Sequence, residues 1–211
     1  MSLQAKDLFA RLKEHKLGLI VGGTLLIVLL AAGPLFLHVE GALSSNPLKG
    51  LAVGSMAKFA FKEAGTLAPG VAFEGPEGPM TLARLKGHPV LVNLWESSCQ
   101  PCIKELPSLD RLQQAMKADG LAVVAINMDQ DKDDALYFLG KNHVTHLPLY
   151  FDPNLLMSIA LDEEAIPVSV LYDANGREIG RYVGGTDWDS AEARKLIASA
   201  IAPAGQDKRK D

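Results

Sequence analysis

The chain holds two cysteines in 211 residues, Cys99 and Cys102, and they stand where a predicted strand gives way to a predicted helix. Residues 89–94 are apolar except for Asn93, which is typical of a strand buried on both faces. Residues 103–117 then repeat apolar side chains at helical spacing. The unpaired N–H groups and positive dipole at a helix start stabilise a thiolate. The sequence therefore predicts that Cys99 attacks a disulfide and that Cys102 resolves the mixed disulfide.

The cysteine pair has two further interpretations. One is a purely structural disulfide, although so short a loop adds little stability. The other is a zinc or copper site, because His143 and His146 form an H-x-x-H that could join the two sulfurs. The long gap between the two pairs instead favours two surface histidines. A C-x-x-C at a strand–helix junction in an α/β pattern favours redox chemistry, with the cysteine pair as redox centre and without metal or cofactor.

The N-terminal region predicts a membrane anchor. Residues 1–16 carry a basic surplus, and residues 17–39 contain no Asp, Glu, Lys or Arg. A helix spans the bilayer core with roughly 20 residues, whereas the apolar region of a cleaved signal peptide has only about 7–15. The basic flank predicts a cytoplasmic N-terminus and an exported C-terminal domain. A signal peptide cleaved near residues 31–33 is the alternative.

The rest of the chain divides into a linker, one domain and a tail. Residues 40–65 contain Ser44, Ser45, Asn46, Pro47 and Gly50 and predict a linker with at most a short helix. Residues 66–202 suffice for one hydrophobic core, and residues 203–211 predict a charged, flexible tail. The net charge of −4 and the pI of about 5.7 give no sign of nucleic-acid binding.

The periodicity of residues 66–202 predicts an α/β domain with a central mixed sheet. The predicted strands are 71–73, 89–95, 121–127, 147–151, 168–172 and 177–183, and the predicted helices are 99–117, 131–143, 153–160 and 190–201. The first strands should be parallel because helices connect them, and residues 173–176 signal a closing antiparallel hairpin. Pro107 predicts a kink or break in the first helix, and Leu136 should face the core.

Pro167 stands at the head of a predicted strand. A proline at the first residue of a strand can mark simply an edge. The functional interpretation is a cis Ile166–Pro167 bond beside Cys99, which would present the Ile166 backbone to an incoming peptide. Since about 5–6% of X-Pro bonds in folded proteins are cis, frequency alone does not predict this geometry.

Taken together, these segments resemble the membrane-anchored thioredoxin-like proteins of bacteria, the TlpA, ResA and CcmG group. The matching segments are 90–95, 99–102, 105–107, 166–167 and 172–177, and segments 106–112 and 184–190 are most similar to TlpA. The resemblance implies a thioredoxin fold with a family insertion between Asp119 and Tyr150. It also implies protein-disulfide reductase activity on the outer side of the bacterial inner membrane.

The resemblance also implies which residues meet the client protein. They are Trp95, Gln100, Pro101, Ile166 and Pro167, with Pro167 in the cis form. The family's clients are apocytochromes c or copper-site proteins of cytochrome oxidase, and its reductant is a membrane electron donor of the DsbD/CcdA type.

Two departures from the family pattern bear on the client rather than on the reaction. The family usually has Trp-Ala-Thr-Trp before the first cysteine, where this chain has Trp95-Glu96-Ser97-Ser98. Apolar docking area beside the nucleophile is therefore lost and a carboxylate is gained. The family's Thr-Thr after the proline is Val168-Ser169 here.

Glu105 is the predicted proton acceptor. It follows Cys102 on the same helical face and matches the family's acidic residue near the cysteines. The buried aspartate that thioredoxin has before its first cysteine is replaced here by Asn93, which cannot titrate. Partial burial would raise the pKa of Glu105 and suit it to take the proton from Cys102. An exposed glutamate beside Lys104 is the alternative.

The direction of the reaction follows from thiolate stability. Gln100 and Pro101 place no cation between the cysteines, which favours a reductant over a strong oxidant. Three other functions stay open: a thiol oxidase, a copper-handling chaperone using His143 or His146, and a passive interaction domain on a membrane stalk.

Overall fold

The computed structural model describes residues 47–202. The predicted cytoplasmic segment 1–16, anchor 17–39 and tail 203–211 lie outside the described residues, as does the start of the predicted linker. Among residues 47–202, no helix is long and apolar enough to cross a membrane.

The described part of the chain builds one mixed sheet of eight strands. The strands are β1 (Ala60–Phe61), β2 (Phe73–Gly75), β3 (Gly78–Met80), β4 (Val90–Trp95), β5 (Ala122–Asn127), β6 (Tyr150–Phe151), β7 (Val168–Tyr172) and β8 (Glu178–Val183). Their order across the sheet is β1-β8-β7-β4-β5-β6-β2-β3. β4 pairs parallel with β5 and antiparallel with β7. The predicted mixed sheet is confirmed.

Helices cover both faces of this sheet. They are α1 (Gln100–Met116), α2 (Lys132–Lys141), α3 (Leu156–Leu161) and α4 (Ala191–Ile201), with 3-10 turns at Pro47–Leu51, Gly54–Met56 and Leu82–Leu85. The segment predicted as the family insertion, between Asp119 and Tyr150, forms β5 and α2. The arrangement is that of the predicted thioredoxin-like α/β fold.

The central strand β4 separates two hydrophobic cores. All six of its residues are buried, and alternate side chains point to opposite faces of the sheet. One core, beneath α1, α2 and α4, includes Leu91, Trp95, Leu106, Leu109, Leu112, Ala135 and Leu196. The other core, beneath α3, includes Val90, Val92, Leu94, Met157 and Leu161. Burial on both faces explains why this strand is apolar except for Asn93.

The prediction of a linker over residues 40–65 is wrong from residue 47 onward. Met56 and Phe59 are fully or almost fully buried in the α1-side core, and β1 pairs with β8. The Ser55 hydroxyl also lies 2.6 Å from the Ser190 hydroxyl at the start of α4. The helical spacing of Leu51, Met56 and Phe59, interrupted by Gly54, is too weak a pattern to show this packing.

Helix α1 runs through Pro107 without a break, so of the predicted kink or break the break is absent. A proline inside a helix costs about 3 kcal/mol because it removes one hydrogen bond and crowds the preceding turn. Leu106, Leu109 and Leu112 are each fully buried on the same helix, and burial of one such side chain contributes about 1.5–3 kcal/mol. Packing on both sides of the proline therefore outweighs its cost.

Two other helices differ in detail from the prediction. Leu136 of α2 is 50% exposed, so the inward face holds Ala135 and Leu139 without it. Helix α3 begins at Leu156 instead of Pro153. Its start is fixed by Asp152, whose carboxylate accepts a hydrogen bond from the Met157 N–H.

Candidate active site

Cys99 and Cys102 lie at the start of α1 and form a disulfide of 2.05 Å. Cys99 is the N-cap residue of the helix, and its sulfur accepts a hydrogen bond from the Cys102 N–H at 3.3 Å. Cys99 is partly exposed, whereas Cys102 is fully buried. Cys99 is thus the sulfur that a client disulfide can reach, and a helix N–H is already directed at it.

The loop before Cys99 is held by the neighbouring strand. Asp129, just beyond the end of β5, accepts hydrogen bonds from the Ser97 N–H at 3.1 and 3.2 Å. Asn127 donates to the same carboxylate at 2.8 Å. Asp129 is not among the site residues predicted from the sequence. Its position could have been predicted, because β4 and β5 are adjacent parallel strands. The residues that follow two such strands lie at the same edge of the sheet.

Ile166 and Pro167 are joined by a cis peptide bond, as the resemblance implied. Pro167 is buried and Ile166 is partly exposed. The Pro167 carbonyl accepts a hydrogen bond from the Gly184 N–H at 2.8 Å. Val168, the next residue, pairs with Leu94 near the end of β4 that leads into the cysteines. The cis bond therefore lies at the same edge of the sheet as Cys99.

Glu105 is buried beneath the cysteines, with 2% of its surface exposed. Its carboxylate accepts hydrogen bonds from Asn93 Nδ2 at 2.7 Å and from the Thr186 N–H at 3.2 Å. Burial raises the pKa of Glu105 to about 7, and these hydrogen bonds oppose the rise. The alternative of an exposed glutamate is wrong. A carboxyl with this pKa exchanges its proton near neutral pH.

Asn93 joins Glu105 to the strand that carries the cis proline. Its Nδ2 also donates to Ser169 Oγ at 2.9 Å, and Asn93 and Ser169 are directly opposed in the β4–β7 pair. The Asn93 amide is uncharged and fixed by these hydrogen bonds, and it occupies the position where thioredoxin has a carboxyl. Ser169, one of the two departures from the family pattern, makes this contact.

The prediction that Trp95 contacts the client is wrong, because the side chain has no exposed surface. Residues alternate along β4, and Trp95 points with Leu91 into the core beneath α1. The continuous apolar run gave no way to tell an inward from an outward side chain at its end. Gln100 and Pro101 are exposed beside Cys99, as client contact requires.

A cleft of about 430 Å³ lies along α1 next to the cysteines. Its lining residues are Pro101, Lys104, Glu105, Pro107, Ser108, Arg111, Gly185, Thr186 and Asp187. Glu105 thus reaches the cleft despite its burial. Thr186 is also not among the site residues predicted from the sequence. Thr186 acts through its backbone N–H, and a backbone donor leaves no signal in the sequence.

The two histidines of the H-x-x-H, His143 and His146, lie in different environments. His146 Nδ1 lies 2.8 Å from Asp110 Oδ2 on α1, whereas His143 is an exposed residue with a φ of 54°. Among residues 47–202, no group of three or more His, Cys, Asp and Glu side chains could hold a metal ion. The copper-handling function gains no support from this arrangement and stays a prediction.

A strand leads into a C-x-x-C whose first cysteine caps a helix, and a buried carboxyl and a cis proline complete the site. These features define a thiol-disulfide oxidoreductase of the thioredoxin fold. Residues 63–197 match the model of the Redoxin family, and the chain belongs to that family.

Curated relatives carry the same activity in their names. The chain is 30% identical over 138 residues to the thiol-disulfide oxidoreductase ResA of Bacillus subtilis, a match that covers 64% of this chain and 76% of ResA. It is 35% identical over 124 residues to the thiol:disulfide interchange protein HelX of Rhodobacter capsulatus, covering 57% and 68%. The finer resemblance to TlpA stays a prediction.

A solved structure agrees in both fold and sequence. The crystal structure described as a thiol:disulfide interchange protein DsbE of Chlorobium tepidum has a TM-score of 0.59 and 31% identity, and the match covers 65% of this chain and 96% of that chain.

Proposed function

We propose that this protein is a membrane-anchored reductase of protein disulfides that works on the outer side of the bacterial inner membrane. The observation that carries the proposal is the cysteine pair at the start of α1, with Cys99 partly exposed and Cys102 buried. The names of ResA and HelX support thiol-disulfide exchange. The apolar segment 17–39 supports the anchor, with a cytoplasmic N-terminus and a periplasmic domain.

The reaction consists of two exchanges. The Cys99 thiolate attacks one sulfur of a client disulfide, the client S–S bond breaks, and the leaving client thiolate takes up a proton. Cys102 then loses its proton and attacks the Cys99 sulfur, which releases the second client sulfur as a thiolate that is protonated in turn. The client gains two electrons and two protons, and the Cys99–Cys102 disulfide is formed.

Glu105 accepts the proton that Cys102 loses. It follows Cys102 by one helical turn, and its pKa of about 7 leaves part of the population ionised at neutral pH. Its proton then passes to solvent through the cleft that Glu105 lines.

The Glu105→Gln variant tests this role. We expect slower release of the client from the mixed disulfide and a flatter pH dependence of that step between pH 5 and 8, since the amide cannot titrate. Stopped-flow kinetics with a mixed-disulfide substrate measure the step. Circular dichroism checks that the variant is folded, and Glu164→Gln on the exposed surface is the matched control. Release kinetics equal to those of the wild type at every pH would remove Glu105 from the mechanism.

The proposed direction is reduction, driven by a membrane electron donor of the DsbD/CcdA type. The residues between the cysteines, Gln100 and Pro101, bring no cation that would strongly stabilise the thiolate. Equilibration of the Cys99–Cys102 couple with glutathione measures its reduction potential. A value near the roughly −120 mV of a strong oxidant such as DsbA would reverse the assignment and make the protein a thiol oxidase.

The client is proposed to be an apocytochrome c or a copper-site protein of cytochrome oxidase. Replacing Cys102 with Ser blocks the second exchange, so the client should stay covalently attached to Cys99 and be identified after purification. Cys99→Ser is the matched control and should trap nothing. Covalent capture of unrelated proteins at equal yield by both variants would contradict a specific client.

A further inference from the structure

We propose that Thr186 is a positioning residue for Glu105, and that the Ser55 carbonyl holds it in place. Its effect on the rate of client release rests on the proposed function, in which Glu105 accepts the proton of Cys102. The structural content of the proposal is a chain of hydrogen bonds from the segment before the domain's first strand to the buried carboxyl. That segment was predicted to be a linker.

Thr186 makes two hydrogen bonds that connect Glu105 to Ser55. The Thr186 backbone N–H donates to Glu105 Oε2 at 3.2 Å. The Thr186 hydroxyl donates to the Ser55 carbonyl at 3.0 Å. The side chain of Thr186 therefore fixes the orientation of the peptide whose N–H meets the carboxylate.

The loop that carries Thr186 is held at three other points. The Trp188 N–H donates to Ser108 Oγ on α1 at 3.0 Å, and the Ser55 and Ser190 hydroxyls are 2.6 Å apart. Gly185 lies so close to the active-site turn that a Cβ atom added there would be 3.2 Å from Pro101. A loop fixed this tightly can hold an N–H at hydrogen-bond distance from a buried group.

Other groups that surround Glu105 also affect its charge. Asn93 of β4 donates to it and to Ser169 of β7, and neither side chain titrates. Charged side chains occur in the cleft that Glu105 lines: Lys104, Arg111 and Asp187. Cys102 is in the disulfide in the oxidised protein. The Thr186 N–H thus donates to the carboxylate beside Asn93, the Trp188 side chain also lowers the pKa of Glu105, and the Thr186 hydroxyl orients the Thr186 N–H.

The test is a titration of the Glu105 side-chain carboxyl by ¹³C NMR in the oxidised full-length protein in detergent micelles. Its resonance is assigned by its absence in Glu105→Gln. Thr186→Val keeps the shape of the side chain and removes the hydroxyl, so the N–H loses its fixed orientation. A hydrogen bond to the ionised form lowers a carboxyl pKa, so we expect the midpoint to rise by roughly half to one pH unit.

Two further variants control the test. Thr186→Ser keeps the hydroxyl and should titrate with the wild-type midpoint. Thr66→Val removes a threonine hydroxyl 3.4 Å from a different carboxylate, Glu178, and should leave the Glu105 midpoint unchanged. A wild-type midpoint in Thr186→Val, or an equal rise in Thr186→Ser, would overturn the proposal.

A second measurement needs no variant at position 186. The ¹⁵N–¹H resonance of the Thr186 backbone in the wild-type protein should shift with the same midpoint as the Glu105 carboxyl, because the N–H donates to it. A Thr186 amide that does not respond to the carboxyl titration would overturn the proposal. Both measurements use the oxidised protein without a client, so they can fail or succeed independently of the reductase assignment.

Discussion

Two carboxylates on α1, Glu105 and Asp110, both have little exposed surface, yet their pKa values shift in opposite directions. Glu105 is 2% exposed and Asp110 is 5% exposed. Burial raises the pKa of Glu105 to about 7. Burial would also raise the pKa of Asp110, but hydrogen bonds from the His146 side chain and from the backbone of His146 and Leu147 lower it below its usual value.

Depth and the number of hydrogen-bond donors together separate the two groups, because Glu105 lies deeper in the protein than Asp110 and loses more of its hydration. Asp110 Oδ1 accepts the N–H groups of Thr145, His146 and Leu147 at 3.0, 2.6 and 2.9 Å. Glu105 accepts one backbone N–H and one side-chain amide N–H, and the Trp188 side chain also lowers its pKa. A buried carboxylate with enough donors stays ionised and acts as a structural clamp, while one with fewer donors can exchange a proton. The same helix therefore carries a structural acid and a titrating one.

Removing the Asp110 clamp should have the largest effect on stability. Asp110→Ala leaves three backbone N–H groups of the loop before β6 without their acceptor, at about 1–3 kcal/mol for each one that stays buried. Because the loop can partly relax, we expect a loss of about 3–4 kcal/mol in the free energy of unfolding at pH 7. Urea unfolding measures it, with Asp119→Ala on the exposed surface as the control.

The pH dependence of this loss has a defined sign. Since the pKa of Asp110 is lower in the folded than in the unfolded state, its contribution is present above the unfolded value and is lost as the pH falls through the folded value. The difference between wild type and Asp110→Asn should therefore shrink in acid. A difference that grows on acidification would show that Asp110 is not the ionised clamp described here.

Glu105→Gln should stabilise the protein, in contrast to the loss of stability expected for Asp110→Ala. Its pKa rises from 4.5 to about 7 on folding, so the folded state binds more protons between these values and stability falls as the pH rises through them. The shift corresponds to about 3 kcal/mol. We expect the variant to be about 2–3 kcal/mol more stable than the wild type at pH 8 and nearly equal at pH 4.5.

Urea unfolding of the oxidised protein at the two pH values measures this difference, with Glu164→Gln as the control. Equal stabilities of wild type and Glu105→Gln at pH 8 would show that the buried carboxyl ionises without cost, and the contrast with Asp110 would disappear. Together with slower client release, a stabilised variant would show that the protein gives up stability at this position for chemistry.

His146→Ala should have the smallest effect. Its ring bonds to Asp110, but the side chain is 41% exposed, and exposed pairs contribute about 0–1 kcal/mol. The three backbone donors remain in the variant. We expect a loss of about 0.5 kcal/mol, measured by urea unfolding with His88→Ala as the control. A loss as large as that of Asp110→Ala would mean that the imidazole, and not the backbone, stabilises the carboxylate.

The parts of the fold with local signals could be predicted from the sequence. The run before Cys99, the helical spacing after it and the turn at residues 173–176 each depend on neighbours in the chain, and each element exists. Glu105 was placed near Cys102 because helical spacing brings them to one face. Its burial needed the packing of a distant loop, so the sequence left it open.

The remaining features depend on contacts between distant residues. Trp95 ends an apolar strand that is covered on both faces, so no alternation of polar and apolar residues shows its direction. The donors to Asp110 are backbone groups about 35 positions further along the chain, and the donor to Glu105 from Thr186 is also backbone. Backbone groups are the same at every residue except proline, so the sequence cannot mark them.

The pairing of β1 with β8 has a practical consequence for anyone who shortens this protein. A version that begins where the Redoxin match begins, at residue 63, lacks Ala60 and Phe61 and so leaves the outer edge of β8 uncovered. Uncovered sheet edges recruit strands from other molecules. Such a fragment would be prone to self-association, and the loss of Met56 and Phe59 would open its core. Shortened versions should therefore start at or before Pro47.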